Sequence, residues 1–147
     1  MKFICSVVIN KPKELVAKLF SNPEFLSEYQ DGFIRKEIVS GKHFEVDTIS
    51  KMYYKMGKGE MELIETVLKN ELPNLFLAQY HHKHTENTML STFTAIDENT
   101  TKYEAEINYT AFKGVMVNIM RCLFPSMFKK QVQKWLDNFK VFVEKQT

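Results

Sequence analysis

The chain of 147 residues is 44% hydrophobic and 26% charged, an ordinary globular balance that excludes a largely disordered protein. Its formal net charge of +2 is too close to zero to indicate a nucleic-acid partner. The length suits one domain, and no repeat, linker or low-complexity segment divides it. We therefore expect a single domain over residues 1–147.

Cysteine usage and hydropathy indicate the compartment. Cys5 and Cys122 stand among apolar neighbours, as buried reduced thiols do, and they form neither a disulfide framework nor a metal-site spacing. No apolar run is long enough to span a bilayer. The N-terminal run lacks a small-residue cleavage site, which favours a strand over a signal peptide. We expect a cytoplasmic protein.

The N-terminal part begins with a strand and two short helices. Residues 2–10 alternate and are rich in β-branched side chains, which predicts a strand. Pro12 suits the first turn of a helix, and an apolar stripe at helical spacing follows it, ending in Phe20. Asn22 and Pro23 cap and start a second short helix, whose own apolar stripe includes Tyr29.

Six further strands and one long helix follow. The predicted strands cover residues 33–40, 46–56, 60–69, 75–85, 88–96 and 102–112, with turn residues between them. Glu86-Asn87 is the turn predicted between the fifth and sixth strands of the chain. After Gly114 the apolar residues recur at steps of three and four, which predicts a long amphipathic helix that Pro125 kinks or splits.

This order predicts an α+β fold in which a curved antiparallel sheet of about seven strands is covered by the C-terminal helix. Two short helices cannot cover the apolar face of such a sheet, whereas the long one can. The residues that alternation and helical spacing turn inward are rich in methionine and aromatic rings, so they form either a solid core or the lining of a cavity. The predicted ligand-binding residues are Met52, Tyr54, Met56, Met61, Leu63, Glu65, Phe76, Tyr80, His82, Met89, Phe93, Ile107, Tyr109, Met116, Ile119, Met120, Leu123 and Met127.

Several segments resemble the SRPBCC superfamily, which includes START domains, polyketide cyclase/dehydrases and the birch-pollen-allergen fold. The resemblance begins with VVINKPKELV at 7–16 and LFSNPEFL at 19–26, and it continues with the strand over 33–41. The tail from FPSMFKKQ at 124–131 through Trp135 and Phe139 resembles the last helix of bacterial members. The resemblance covers essentially the whole chain and implies a helix-grip fold with a hydrophobic cavity. Members bind lipids, sterols, polyketides or quinones and some are catalytic, so the resemblance implies no particular guest and no catalytic residue.

Glu65 and His82 are the candidates for chemistry inside such a cavity. Glu65 falls in the inward register, where a carboxylate is either an acid–base catalyst, with Tyr80 or His82 assisting, or the partner of a neighbouring Tyr or His. His82 and His84 would point the same way on one strand, but a third metal ligand is lacking. We therefore predict no metal site and interpret these histidines as polar groups at a strand end or cavity mouth.

Three functions remain open at this level. The first is a non-catalytic protein that binds or carries a small hydrophobic or amphipathic molecule, such as a lipid, a quinone or a polyketide-like compound. The second is a cyclase or dehydratase acting on such a molecule, and the third is a module that binds an apolar segment of a partner protein. No cofactor is indicated. Six basic against two acidic residues between 121 and 145 indicate either a solvated helix face or a weak contact with anionic membranes, and the sequence does not specify the oligomeric state.

Overall fold

The computed structural model describes residues 1–115, 118 and 126–146. The elements in chain order are β1 (Lys2–Ile9), α1 (Lys13–Ser21), a 3₁₀ turn (Pro23–Phe25), α2 (Leu26–Tyr29), β2 (Phe33–Ser40), β3 (Ile49–Met56), β4 (Gly59–Glu71), β5 (Leu75–His82), β6 (Thr85–Asp97), β7 (Thr100–Phe112) and α3 (Ser126–Glu144). The predicted helix kink at Pro125 and the thiol of Cys122 lie outside the described residues.

One antiparallel sheet contains all seven strands, in the order β1-β7-β6-β5-β4-β3-β2. Strands β2 to β7 form a meander, because each is joined to the next by a short connection, whereas β1 returns to pair with β7 at the edge. The sheet is curved, with the C-terminal helix against it and the two short helices between β1 and β2. The predicted α+β fold with a seven-stranded sheet is confirmed.

Several predicted strand boundaries differ from the observed ones, most clearly at the β5–β6 turn and at the start of β3. The turn between β5 and β6 lies at Lys83-His84, because Glu86 and Asn87 pair across the sheet with His81 and Tyr80. A hydrogen bond of 3.0 Å between Nδ1 of His81 and the carboxylate of Glu86 supports this register, so these residues stay in the ladder despite their preference for turns. The third strand begins at residue 49 rather than 46, because the preceding residues form an irregular loop with a left-handed φ of 72° at Asp47.

Helix α3 covers the inner face of the sheet and also closes one of its edges. Leu136, Phe139 and Val143, at steps of three and four, are buried against the core. On the neighbouring face, the side-chain amide of Gln133 hydrogen-bonds both the N–H and the C=O of Ser6 in β1. Side chains of the helix therefore satisfy backbone groups of an edge strand that would otherwise be open to a further strand. Among the described residues, no helix is long and apolar enough to cross a membrane.

Candidate ligand-binding cavity

A cavity of about 420 Å³ lies between the inner face of the sheet and α3. Its wall is mostly apolar, and strands β2 to β7, both short helices and α3 all contribute side chains to it. The volume falls in the range of roughly 300–1,000 Å³ that small-molecule sites occupy. A curved sheet and a helix have thus left space between them instead of a solid core.

Aromatic rings close one end of the cavity. Phe20, at the end of α1, has its ring centre between 5.1 and 6.3 Å from five other rings, which belong to Phe44, Phe76, Phe93, Tyr103 and Phe139. Most of these contacts are edge-to-face, the geometry that the charge distribution of aromatic rings favours. This end of the cavity is therefore a packed aromatic floor.

The other end opens near the β3–β4 and β5–β6 hairpins. The lining residue Met56 is 57% exposed there, and the lining residues His82, His84 and Asn87 are only partly buried. The exposed Gln131 of α3 completes this rim. Among the described lining residues, the more exposed ones therefore lie at the hairpin ends and near the start of α3.

A charged cluster lies in the wall between the floor and the rim. The ammonium group of Lys36 is 2.8 Å from one carboxylate oxygen of Glu65, and their side chains are only 7% and 4% exposed. The hydroxyl of Tyr80 donates to the other oxygen of Glu65, also at 2.8 Å. Lys36 Nζ lies 5.0 Å from the ring centre of Phe44, a favourable distance for a cation above a π face.

A β-bulge explains why a lysine of an edge strand points into the cavity. Phe33 pairs with Tyr54 and Arg35 pairs with Tyr53, so Ile34 is an extra residue in β2. A bulge shifts the alternation by one residue, and Phe33 and Lys36 therefore share the inner face although they are three residues apart. Lys36 then stands opposite the buried Met52 of β3.

Further polar groups in the wall are paired with one another. The hydroxyl of Tyr54 donates to the side-chain oxygen of Gln30 at 2.7 Å, and the hydroxyls of Ser91 and Tyr103 are 3.2 Å apart. Burial raises the pKa of Tyr103 to about 12 and raises that of Tyr54 further. Burial, with the Glu65 charge second, holds the pKa of Tyr80 well above its usual value, so these phenols are hydrogen-bond donors at neutral pH.

Twelve residues predicted to bind a ligand line the cavity, namely Met52, Tyr54, Met56, Met61, Leu63, Glu65, Phe76, Tyr80, His82, Met89, Ile107 and Tyr109. Phe93 does not line it, because it is buried beside Phe20 and Tyr103, which do. Met116, Ile119, Met120 and Leu123 lie outside the described residues. Contact of any of these residues with a ligand remains a prediction.

The position predicted for Met127 needs correction. Its side chain is 46% exposed and takes no part in the cavity wall. The residues of α3 that line the cavity are Phe128, Gln131, Val132, Trp135, Leu136 and Phe139. These recur at helical spacing, and Met127 lies one residue, or about 100°, out of phase with Phe128.

The sequence interpretation missed several lining residues. Phe20 and Tyr29 were placed on apolar helical stripes, but nothing in the pattern showed that these stripes reach the same cavity. Lys36 was missed because a lysine in an exposed edge strand is normally solvated. Its inward position depends on the bulge, for which the sequence carries no distinct signal.

The histidines of the β5–β6 hairpin form part of the rim. The rings of His82 and His84 are 5.3 Å apart, and the backbone N–H of His84 donates to Nδ1 of His82. Burial, and secondarily the neighbouring His84, lower the pKa of His82 below its usual 6.5. Within the ranges that the structure describes, no three His, Cys, Asp or Glu side chains are grouped to hold a metal ion.

Comparison with known proteins identifies the fold. No family model and no curated protein matches the chain. Among solved structures, the Zhui aromatase/cyclase from Streptomyces sp. R1128 has a TM-score of 0.81 at 7% identity, covering 98% of this chain and 93% of that one. A START superfamily protein from Mycobacterium smegmatis has a TM-score of 0.72 at 8% identity (96% and 98% covered), and a major latex-like protein from Panax ginseng has 0.75 at 11% (97% and 96%). At these identities the likeness shows the fold alone, and the expected helix-grip fold is confirmed.

Proposed function

We propose that this chain, which has the START-like helix-grip fold, binds a small hydrophobic or amphipathic molecule between its sheet and α3. The cavity of about 420 Å³ carries the proposal, because apolar surface of this extent is stabilised when a guest displaces water from it. Four methionines in the wall, Met52, Met56, Met61 and Met89, are flexible enough to adapt to the shape of the guest. Lipids, quinones and polyketide-like compounds are the classes that we propose.

The first experiment is native mass spectrometry of gently purified protein, followed by identification of any molecule released on denaturation. If the guest is lost during purification, a thermal-shift assay with a panel of hydrophobic compounds can still detect binding. A bound mass or a stabilising compound is expected. A clean apo mass with no shift across the panel would contradict the proposal.

A matched pair of variants localises binding to the cavity. Met89 and Thr94 lie in β6, the first lining the cavity and the second exposed on the sheet. We expect Met89→Trp to fill part of the cavity and weaken binding, whereas Thr94→Trp adds the same ring outside and leaves binding unchanged. Equal affinities in both variants would place the guest elsewhere.

Catalysis on the bound molecule is a second candidate function. It is favoured by the buried cluster of Lys36, Glu65 and Tyr80, whose three groups could position or move protons at a guest. One structural neighbour is named an aromatase/cyclase, which makes cyclisation or dehydration the reaction class to test. Conversion of a bound polyketide-like compound by the wild-type protein, abolished by Glu65→Gln with binding retained, would establish an enzyme.

A further inference from the structure

The hydrogen-bonding groups of the cavity wall differ in how much of their capacity is already used. One carboxylate oxygen of Glu65 accepts a hydrogen bond from Tyr80 and the other is paired with Lys36, and the side-chain oxygen of Gln30 accepts a hydrogen bond from Tyr54. Lys36 has three N–H groups, and the only described oxygen that its ammonium group contacts is Glu65 Oε1. The acceptors of Glu65 and Gln30 are therefore engaged, while Lys36 has donor capacity left over.

Tyr29 adds a second donor to this part of the wall. It is 6% exposed and lines the cavity, and its hydroxyl has no hydrogen-bond partner among the described residues. Burial holds its pKa well above the usual value, with contributions from Tyr103, Tyr54 and Glu65. Tyr29 is therefore a neutral phenol that lines the same cavity as the charged cluster, and its O–H is available to a guest.

The charges of the cluster restrict the guest further. Lys36 and Glu65 neutralise each other at 2.8 Å, so the wall presents no uncompensated charge there. An ionised guest would lose its hydration without gaining a counter-charge, which is costly in an apolar site. A guest whose polar group is an uncharged acceptor needs only hydrogen bonds from the free donors of the wall.

From this arrangement we infer that the cavity selects a hydrophobic guest whose polar group is an uncharged hydrogen-bond acceptor, a carbonyl oxygen of a ketone or quinone, bound by the hydroxyl of Tyr29 and the ammonium group of Lys36. The inference rests on the proposed function and specifies the chemistry of its ligand. Hydrocarbon parts of the guest contact the aromatic floor on one side and the methionine-lined wall on the other.

Three rigid compounds of nearly the same shape test this inference. Fluorene has no acceptor, 9-fluorenone carries one ketone, and 9-fluorenecarboxylate is an anion at pH 7.5. Dissociation constants are measured by calorimetry and corrected for the partition of each compound into octanol. We expect 9-fluorenone to bind at least about threefold more tightly than fluorene, the effect of one net hydrogen bond, and the carboxylate to bind most weakly.

Tyr29→Phe should remove most of the ketone preference without weakening fluorene. Tyr53→Phe is the matched control, because Tyr53 does not line the cavity and its ring lies instead against the guanidinium group of Arg35, 3.9 Å away. This control should keep the preference. Infrared spectroscopy of ¹³C=O-labelled 9-fluorenone gives an independent readout. We expect the carbonyl stretching frequency to be lower in the wild-type protein than in hexane. In Tyr29→Phe it should lie between these two values.

Each outcome decides one of the two proposals. Tight binding of fluorene and 9-fluorenone alike, with a hexane-like carbonyl stretch, overturns the inference while the proposed function stands. Tightest binding of the carboxylate also overturns it. Failure of all three compounds to bind overturns the inference, and if native mass spectrometry also gives a clean apo mass with no shift across the panel, it overturns the proposed function itself.

Discussion

Replacing Glu65 by glutamine should destabilise the protein strongly, because it leaves the charge of Lys36 buried without a counter-charge. The two side chains are 7% and 4% exposed, and Lys36 otherwise contacts the ring of Phe44. Removing one partner of a buried ion pair costs about 3–5 kcal/mol. The amide of glutamine keeps one acceptor oxygen for Lys36 or Tyr80, so we expect the lower end, about 3 kcal/mol.

This free energy corresponds to a large change in melting temperature. An unfolding entropy of about 2.1 cal/mol/K per residue gives roughly 0.3 kcal/mol/K for a chain of this length, or about 3 °C for each kcal/mol. Glu65→Gln should therefore lower the Tm by about 10 °C in differential scanning calorimetry. Urea denaturation should show the same loss with an unchanged m value.

Two controls make the test specific. Glu62, in the same strand as Glu65, forms an exposed pair with Lys51 of β3, with 4.0 Å between charged atoms, so Glu62→Gln should change stability by less than about 1 kcal/mol. The double replacement Lys36→Met/Glu65→Met removes both charges and should recover most of the loss, because apolar residues often replace a buried ion pair without cost. If Glu65→Gln lowers the Tm no more than Glu62→Gln does, the pair is solvated and the argument for an uncharged guest fails with it.

Three further predictions concern the rim, a loop and the surface of α3. The folded-state pKa of His82 lies below 6.5, so this residue contributes stability above about pH 6.5 that is lost as the pH falls through the lowered value. His82→Gln should therefore flatten the decline in the free energy of unfolding, measured with urea, between pH 7.5 and 5.5. An unchanged slope would contradict this. Gly41→Ala should lower the free energy of unfolding, measured with urea, by more than about 1 kcal/mol, because φ is +92° and the new Cβ would lie 2.5 Å from Thr48 Oγ1. A variant as stable as the wild type would show that alanine is not strained at this position. If the basic face of α3 contacts anionic membranes, Lys129→Glu/Lys130→Glu should abolish sedimentation with phosphatidylserine vesicles at low salt, and wild-type protein that never sediments would exclude that contact.

The inward faces of the central strands could be predicted from the sequence because their alternation is regular. In β4, Met61, Leu63, Glu65 and Val67 keep one register over seven residues, and all four face inward as predicted. A slip of one residue would expose the whole set, so a consistent apolar register is strong evidence for the buried face. The same argument placed Glu65 on the inward face, although it left open whether the carboxylate is an acid–base catalyst or the partner of a neighbouring Tyr or His.

Other features depend on contacts between distant segments, which alternation cannot show. The turn of the β5–β6 hairpin was misplaced because the turn propensity of Glu86-Asn87 is overridden by cross-strand pairing and by the hydrogen bond between Glu86 and His81. Lys36 was missed because one extra residue, Ile34, reverses the alternation of β2. This bulge arises from the pairing of β2 with β3, and the sequence of β2 alone does not specify that pairing.

The buried ion pair is better explained by a guest than by folding. Two apolar side chains at positions 36 and 65 would stabilise the sheet at least as well as the charges do, because the cost of desolvating an ion pair offsets most of its Coulombic gain. The pair nevertheless lies in the cavity wall, with Tyr80 bonded to it and free donors beside it. A cavity built only to hold hydrocarbon would gain nothing from these groups. Their presence therefore argues for a ligand with a polar group that needs to be oriented, which the comparison of fluorene with 9-fluorenone measures directly.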